Sequence, residues 1–134
     1  MKIVMTSGAF DLLHIGHVRH LEECREQGDR LIVAVNTDSS IRAAKGPDRP
    51  VVNQSERVAM LQALRCVDAV VLFNATTPVG VILRYQPGVF CVGPDYAIDQ
   101  VAGRELIESW GGRVHITGGD RTVSTTQRIL QCRS

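Results

Sequence analysis

Lys2-Ile3-Val4-Met5-Thr6-Ser7-Gly8-Ala9-Phe10-Asp11-Leu12-Leu13-His14-Ile15-Gly16-His17 is the stretch on which the reading of this chain turns. Residues 2–6 form a short apolar run that stops at Ser7-Gly8, the pattern of a buried strand running into a glycine turn. From about residue 15 to 27 the period changes: Val18, Leu21 and Cys24 fall on one helical face, charges fall opposite, and Gly28 follows as a C-terminal cap. A second apolar run, residues 30–35, stops at Asn36-Thr37-Asp38. Strand, helix and strand thus succeed one another within the first third of the sequence.

The alternation continues outward. Asn53 or Ser55 can cap a helix whose apolar face is Val58, Leu61 and Leu64, and residues 67–73 follow as a third strand. Pro78 opens a helix reaching Tyr85, residues 89–92 read as a fourth strand, and residues 101–110 as a helix ended by Gly111-Gly112. A fifth strand is expected over residues 113–116 and a last helix over 124–131. Irregular stretches remain at 43–52, 93–100 and 117–123. Strands separated by helices predict an α/β fold, a Rossmann-like doubly wound five-stranded parallel sheet forming one domain over residues 1–134. In such a sheet the loops after the carboxyl ends of the strands line the ligand crevice.

Composition narrows the function. With 44% hydrophobic and 22% charged residues the chain has a globular balance. Fifteen basic and fourteen acidic side chains give a net charge of +1, so no global field draws it to nucleic acid and any anion has to be gripped locally. No apolar run approaches the ~20 residues of a membrane helix, and Ser7-Gly8 comes too early for a signal peptide, which predicts a cytoplasmic protein without membrane partners. Cys24, Cys66, Cys91 and Cys132 are widely spaced with no metal-binding pattern, and are expected to be reduced thiols.

His14 and His17 stand three apart at the start of a helix, so both imidazoles share a face where backbone N–H groups and the helix dipole already favour an anion. Gly16 between them leaves room for a phosphate to approach the backbone, and the arrangement suits a polyphosphate. Two histidines at a helix start also read as mere polar surface. Lys45 and Arg49 lie beyond the second strand within reach of the same crevice, placed to meet negative charge, though an ordinary solvated loop carries such residues too. Ser124-Thr125-Thr126 can bind phosphate at the last helix start or simply cap it, with Arg121 as an assisting cation. Asp11 and Asp38 are candidates either for substrate hydroxyls or for helix capping.

The string Gly8, Phe10, Asp11, Leu13, His14, Gly16, His17 resembles the G-x-F-D-x-L-H-x-G-H signature of the cytidylyltransferase-like nucleotidyltransferases. Lys45-Gly46, Arg49-Pro50, Asn53 and Arg57 further resemble the K-G-x-x-R-P-x-N-x-x-x-R segment of bacterial heptose 1-phosphate adenylyltransferases. Val67-Asp68, Gly93 with Asp95-Tyr96, Ala102-Gly103, Gly111-Gly112 and Ser124-Thr125-Thr126 fall at that family's spacing. Those enzymes make the ADP-activated heptose of surface glycans, often as half of a bifunctional kinase-adenylyltransferase whose kinase half is not expected here. The resemblance implies AMP transfer from ATP to a sugar 1-phosphate with release of pyrophosphate, Mg2+ bridging the phosphates, and a homodimer. It implies His14, His17 and Lys45 as catalytic residues, with Lys45 stabilising the transition state. It places Ser7, Gly8, Ala9, Phe10, Gly16, Gly93, Asp95, Arg121, Ser124, Thr125 and Thr126 on the nucleotide, and Asp11, Asp38, Lys45 and Arg49 on the acceptor.

One departure stands out. The heptose enzymes usually carry K-G-G-D-Y where this chain has Val92-Gly93-Pro94-Asp95-Tyr96, so a cation is gone and the loop is stiffened. A changed acceptor follows as an expectation. Three other readings compete: a glycerol 3-phosphate cytidylyltransferase using CTP, for which Arg65-Cys66-Val67-Asp68 speaks and the Lys45 to Arg57 segment does not; a nucleotide-binding regulator without turnover; and a flavodoxin-like module, which predicts no paired histidines.

Overall fold

The structure, a computed structural model, describes residues 1–118. The helix expected over residues 124–131, and with it Arg121, Ser124, Thr125, Thr126 and Cys132, lies outside the described residues. Five strands, β1 (Ile3–Gly8), β2 (Arg30–Asn36), β3 (Ala69–Phe73), β4 (Val89–Val92) and β5 (Arg113–Ile116), form one parallel sheet in the order β3-β2-β1-β4-β5. Helices α1 (Ile15–Glu26), α2 (Asp38–Lys45), α3 (Gln54–Gln62), α4 (Val79–Tyr85) and α5 (Arg104–Ser109) connect them. The expected doubly wound α/β architecture is therefore present.

Strand side chains alternate between two cores, as the pleat requires. Val4, Leu31, Val33, Val35, Val89 and Cys91 pack with Leu21 and Cys24 of α1 and Leu61 of α3. Met5, Ile32, Phe90 and Val114 pack on the other face with Ile82 of α4 and Ile107 of α5. Because both faces are covered, the strands are apolar runs with nearly every residue of β2 buried. The winding reverses between β1 and β4, so the crevice expected of this topology opens at the carboxyl ends of those two strands.

Several boundaries differ from the sequence expectation. Asn36-Thr37-Asp38 ends β2 as expected but also starts a helix, α2, which the turn-like composition concealed: the Thr37 hydroxyl accepts the Ser40 N–H as an N-cap. Residues 43–45, expected to be irregular, are its last turn. Asn53, not Ser55, caps α3, which ends at Gln62, so Leu64 packs from beyond the helix. β3 starts at Ala69, because Asp68 is spent on accepting the Leu31 N–H at 2.8 Å and on Arg25 at 3.1 Å. The helix expected from residue 101 begins only at Arg104, after a 3-10 turn (Ile98–Gln100) and Gly103 at φ +87°. Cys24, Cys66 and Cys91 carry free thiols.

Removing the α2 cap should be measurable: Thr37→Ala is expected to lower unfolding free energy by about 1 kcal/mol, and Thr37→Ser to retain most of it, in urea titrations. Equal midpoints for wild type and Thr37→Ala would show that α2 does not depend on this cap.

Candidate active site

Phe10 has the left-handed φ of +51°, rare outside glycine, and its buried ring lies back over Gly8, where an added Cβ would come within 3.1 Å of the ring edge. A side chain at position 8 would therefore crowd the Phe10 ring, which would have to give by a few tenths of an ångström. His17 packs on the same ring, with centroids 5.6 Å apart. The turn from β1 therefore aims the start of α1 before any ligand is considered.

That start is a reciprocal cap built from the two histidines. His14 is the N-cap and its Nδ1 accepts the Gly16 N–H at 3.0 Å, while His17 Nδ1 accepts the His14 N–H at 3.1 Å. The rings stack with centroids 4.1 Å apart and planes inclined by 34°. A ring nitrogen that accepts an N–H carries no proton, so in each neutral imidazole the proton sits on Nε2. Burial pushes His17 down to a pKa of about 4, with His14 and His20 adding to the effect, so it is a neutral donor at pH 7.

The segment after α2 is clasped to this turn. Asp11 accepts the Val51 N–H at 2.9 Å and the Val52 N–H at 2.8 Å, and pairs with Arg49 at 3.2 Å. Burial raises its pKa, but those backbone N–H groups and Arg49 outweigh it and hold the carboxyl below its ordinary value. Arg57 of α3 is fully buried; its guanidinium donates to the carbonyls of Val52, Ala9 and Asn36 and to Asp38 at 2.7 Å. Asp38 N–H in turn donates to Gln54. Neither aspartate caps a helix: Asp38 follows the cap Thr37, and Asp11 precedes the cap His14.

Ser7 and Gly8 end β1 and Ala9 and Phe10 form the turn, so together with Gly16 they stand around the histidines. Gly93 and Asp95 follow β4 across the switch point. Lys45 ends α2 in solvent, just before Gly46 at φ +102°. Asp38 and Arg42, with Val51, Val52 and Glu56, line a cavity of about 260 Å³ between α2, the following loop and α3; the histidines stand outside it. Two residues went unassigned in the sequence. Arg57 sits one helical turn before Leu61 on the inward face, a legible sign that it points in; His20 continues the His14, His17 spacing by another three residues.

Known proteins resemble this chain in sequence and in fold. The family profile described as "Cytidylyltransferase-like" matches residues 5–134. The chain is 44% identical over 133 residues to the "Bifunctional protein HldE" of Geobacter sulfurreducens, covering 97% of this chain and 27% of that protein. It is 50% identical over 113 residues to the protein of the same name from Methylobacillus flagellatus. The chain thus spans about a quarter of the length of these relatives. A crystal structure of the lipopolysaccharide core biosynthesis protein from Thermoplasma volcanium superposes with a TM-score of 0.72 at 31% identity, covering 87% of this chain and 93% of that one.

The His17 environment generates a pH signature. Its pKa is 6.5 in the unfolded chain and about 4 in the folded one, so between those values the unfolded state binds more protons and stability falls as pH is lowered from 6.5 towards 4. His20, also held below its ordinary value, slopes the same way. His17→Gln should therefore flatten, without abolishing, the loss of urea stability between pH 7 and pH 4.5. An unchanged slope would contradict the buried neutral imidazole.

Proposed function

Because the chain belongs to the cytidylyltransferase-like family of nucleotidyltransferases, we propose that it transfers AMP from ATP to a sugar 1-phosphate of the heptose 1-phosphate kind, releasing pyrophosphate. The observation that carries this reading is the histidine cap: two imidazoles 4.1 Å apart at a helix N-terminus, each with Nδ1 committed to the backbone, so that in the neutral form each carries its proton on Nε2. Such a pair can hold phosphate oxygens and stabilise the charge that grows on the leaving pyrophosphate.

In the proposed reaction a phosphate oxygen of the acceptor attacks the α-phosphorus in line, forming one P–O bond as the bond to pyrophosphate breaks. A phosphate monoester is already nucleophilic, so no general base is assigned; the protein's work is positioning and charge stabilisation. Lys45, at the end of α2, is assigned to the charge of the pentavalent phosphorus, and Arg49 to the acceptor phosphate. Asp38, with Arg42, lines the cavity of about 260 Å³, a setting that suits acceptor hydroxyls. Mg2+, when bound with the NTP, would neutralise part of the charge on its phosphates. No group of three His, Cys, Asp or Glu side chains among the described residues is arranged to hold it. No helix among those residues is long and apolar enough to cross a membrane. A cytoplasmic homodimer completes the reading.

Pyrophosphate release should be measured with each NTP, Mg2+ and a panel of sugar and polyol phosphates. ATP is expected to exceed CTP by at least roughly tenfold in kcat/KM, and a better rate with CTP and glycerol 3-phosphate would replace this reading with the cytidylyltransferase one. Since His14 is also a helix cap, His14→Ala confounds catalysis with folding. His14→Asn keeps a capping acceptor but removes the imidazole donor, and is expected to cost roughly 10²–10³ in kcat while leaving Tm near that of wild type. Retained turnover in His14→Asn would remove this histidine from the chemistry.

A further inference from the structure

One stripe of α1 carries His14, His17, His20 and Glu23 at three-residue intervals. The first two belong to the site above. The second two enter a separate, partly buried network that reaches the exit of β5. Thr6 Oγ1 donates to the Cys91 carbonyl at 2.8 Å, so its oxygen is left to accept from His20 Nε2 at 3.0 Å. Nε2 also lies 3.6 Å from Cys24 Sγ, and Nδ1 faces the hydroxyl of Thr117; because the Thr6 hydroxyl is spent on Cys91, the arrangement calls for the proton on Nε2 and the Thr117 hydroxyl as donor to Nδ1. The Val92 carbonyl, which takes the Thr117 N–H at 2.9 Å, also lies 3.3 Å from that hydroxyl, a longer contact than the hydroxyl makes with His20 Nδ1.

Glu23 adds a second tie one turn on. Its Oε1 accepts the Gly118 N–H at 3.2 Å and its Oε2 pairs with His115 Nε2 at 2.7 Å. Thr6 and Thr117 are almost fully buried, and among the described residues no buried side-chain nitrogen or oxygen lacks a partner. A satisfied network of this kind fixes geometry because each bond lost leaves a buried polar group unpaired. Gly118 is further confined: at φ +91° it lies so close to Pro94 that an added Cβ would be 2.8 Å from Pro94 Cγ. The exits of β4 and β5 and the histidine helix therefore meet at residues 117–118.

We propose that His20 is a positioning residue: bound to Thr6 through Nε2 and to Thr117 through Nδ1, it locks the carboxyl end of β5 to the helix that presents His14 and His17. Burial pushes His20 below its ordinary pKa, partly offset by Glu23, which keeps it in the neutral form the network requires. The lock rests on the proposed nucleotidyl transfer for its catalytic consequence: the imidazoles and the strand exits that flank the crevice hold one spacing, and displacing a phosphate-gripping group by a fraction of an ångström acts on the reacting geometry more than on ground-state binding.

The test uses the full chain with ATP, Mg2+ and a heptose 1-phosphate. Thr117→Val removes only the hydroxyl, Thr117→Ser restores it, and His20→Phe keeps the ring without its nitrogens. The Val and Phe variants should lose roughly tenfold or more in kcat, with the KM for ATP moving less than about threefold, and Ser should recover most of the rate. The double variant His20→Phe with Thr117→Val should be little worse than either single one. Additive losses, or a Ser variant no better than Val, would overturn the lock. Imidazole ¹⁵N spectra and amide exchange decide it without turnover: His20 protonated on Nε2, and faster Gly118 exchange in Thr117→Val, uphold it, while a proton on Nδ1 or unchanged exchange overturns it. Failure of the wild type to release pyrophosphate with any NTP would count against the proposed function and leave those two readouts decisive for the lock.

Discussion

The buried guanidinium of Arg57 is the constraint on which the rest of the crevice depends. It reaches the carbonyl of Ala9 in the turn after β1, the carbonyl of Asn36 at the end of β2, the carbonyl of Val52 in the loop before its own helix, and the carboxylate of Asp38. A cation removed from water persists only where charge and hydrogen bonds compensate it, and the planar fork of arginine meets that condition where a lysine ammonium does not. The ends of three separate segments are thereby held at fixed separations. Every residue assigned to phosphate or acceptor binding in the first half of the chain is attached to one of them.

A second clasp repeats the logic with the opposite charge. Asp11 is nearly buried and ionised because two backbone N–H groups and Arg49 outweigh the desolvation that opposes its charge. It ties residues 49–52 to the segment that becomes the histidine cap three residues later. The imidazoles are set in the same manner, by backbone bonds to Nδ1, by the tilted packing of His17 on Phe10 and by the contact of the two rings with each other. Phosphoryl-type transfer demands groups held in place before the substrate arrives, and here the holding is done largely by main-chain atoms.

Most of the framework was legible because its signals are local. Apolar runs bounded by polar turns identify β1 to β4, and β5, Arg113-Val114-His115-Ile116, is marked instead by the Gly111-Gly112 stop before it and by its alternation. The missed helix α2 shows where that legibility ends: Thr37, Asp38 and Ser39 are turn-formers and N-cap residues alike, and only the burial of Ile41 downstream decides between the two. Arg57 and His20 were hidden for a related reason. Apart from the Arg57 bond to Val52, five positions away, these roles rest on partners 14 to 97 positions distant, beyond the reach of a local pattern. The helix-face positions of both were readable, but the carbonyls and hydroxyls awaiting them were not.

The Val92 and Pro94 departures gain a physical meaning from the packing. Val92 is half-buried and adjoins the core cluster of Met5, Phe90 and Ile107, and Pro94 presses on Gly118 at the exit of β5. An apolar contact and a rigid ring therefore occupy the strand end where the resembling enzymes place a lysine and a glycine. A lysine at position 92 would have to thread its ammonium past that packing to reach solvent. In the proposed reaction the positive charge that meets the acceptor phosphate comes instead from the opposite wall, where Lys45 closes α2 and Arg49 is held by Asp11. Arg49 is partly neutralised by that carboxylate and fixed by it, whereas Lys45 is exposed at the helix end. Under the proposed function one wall of the crevice would thus supply shape and the other charge, a division of labour under which acceptor choice is expected to respond to the volume of the side chains at positions 92 and 94 more than to their charge.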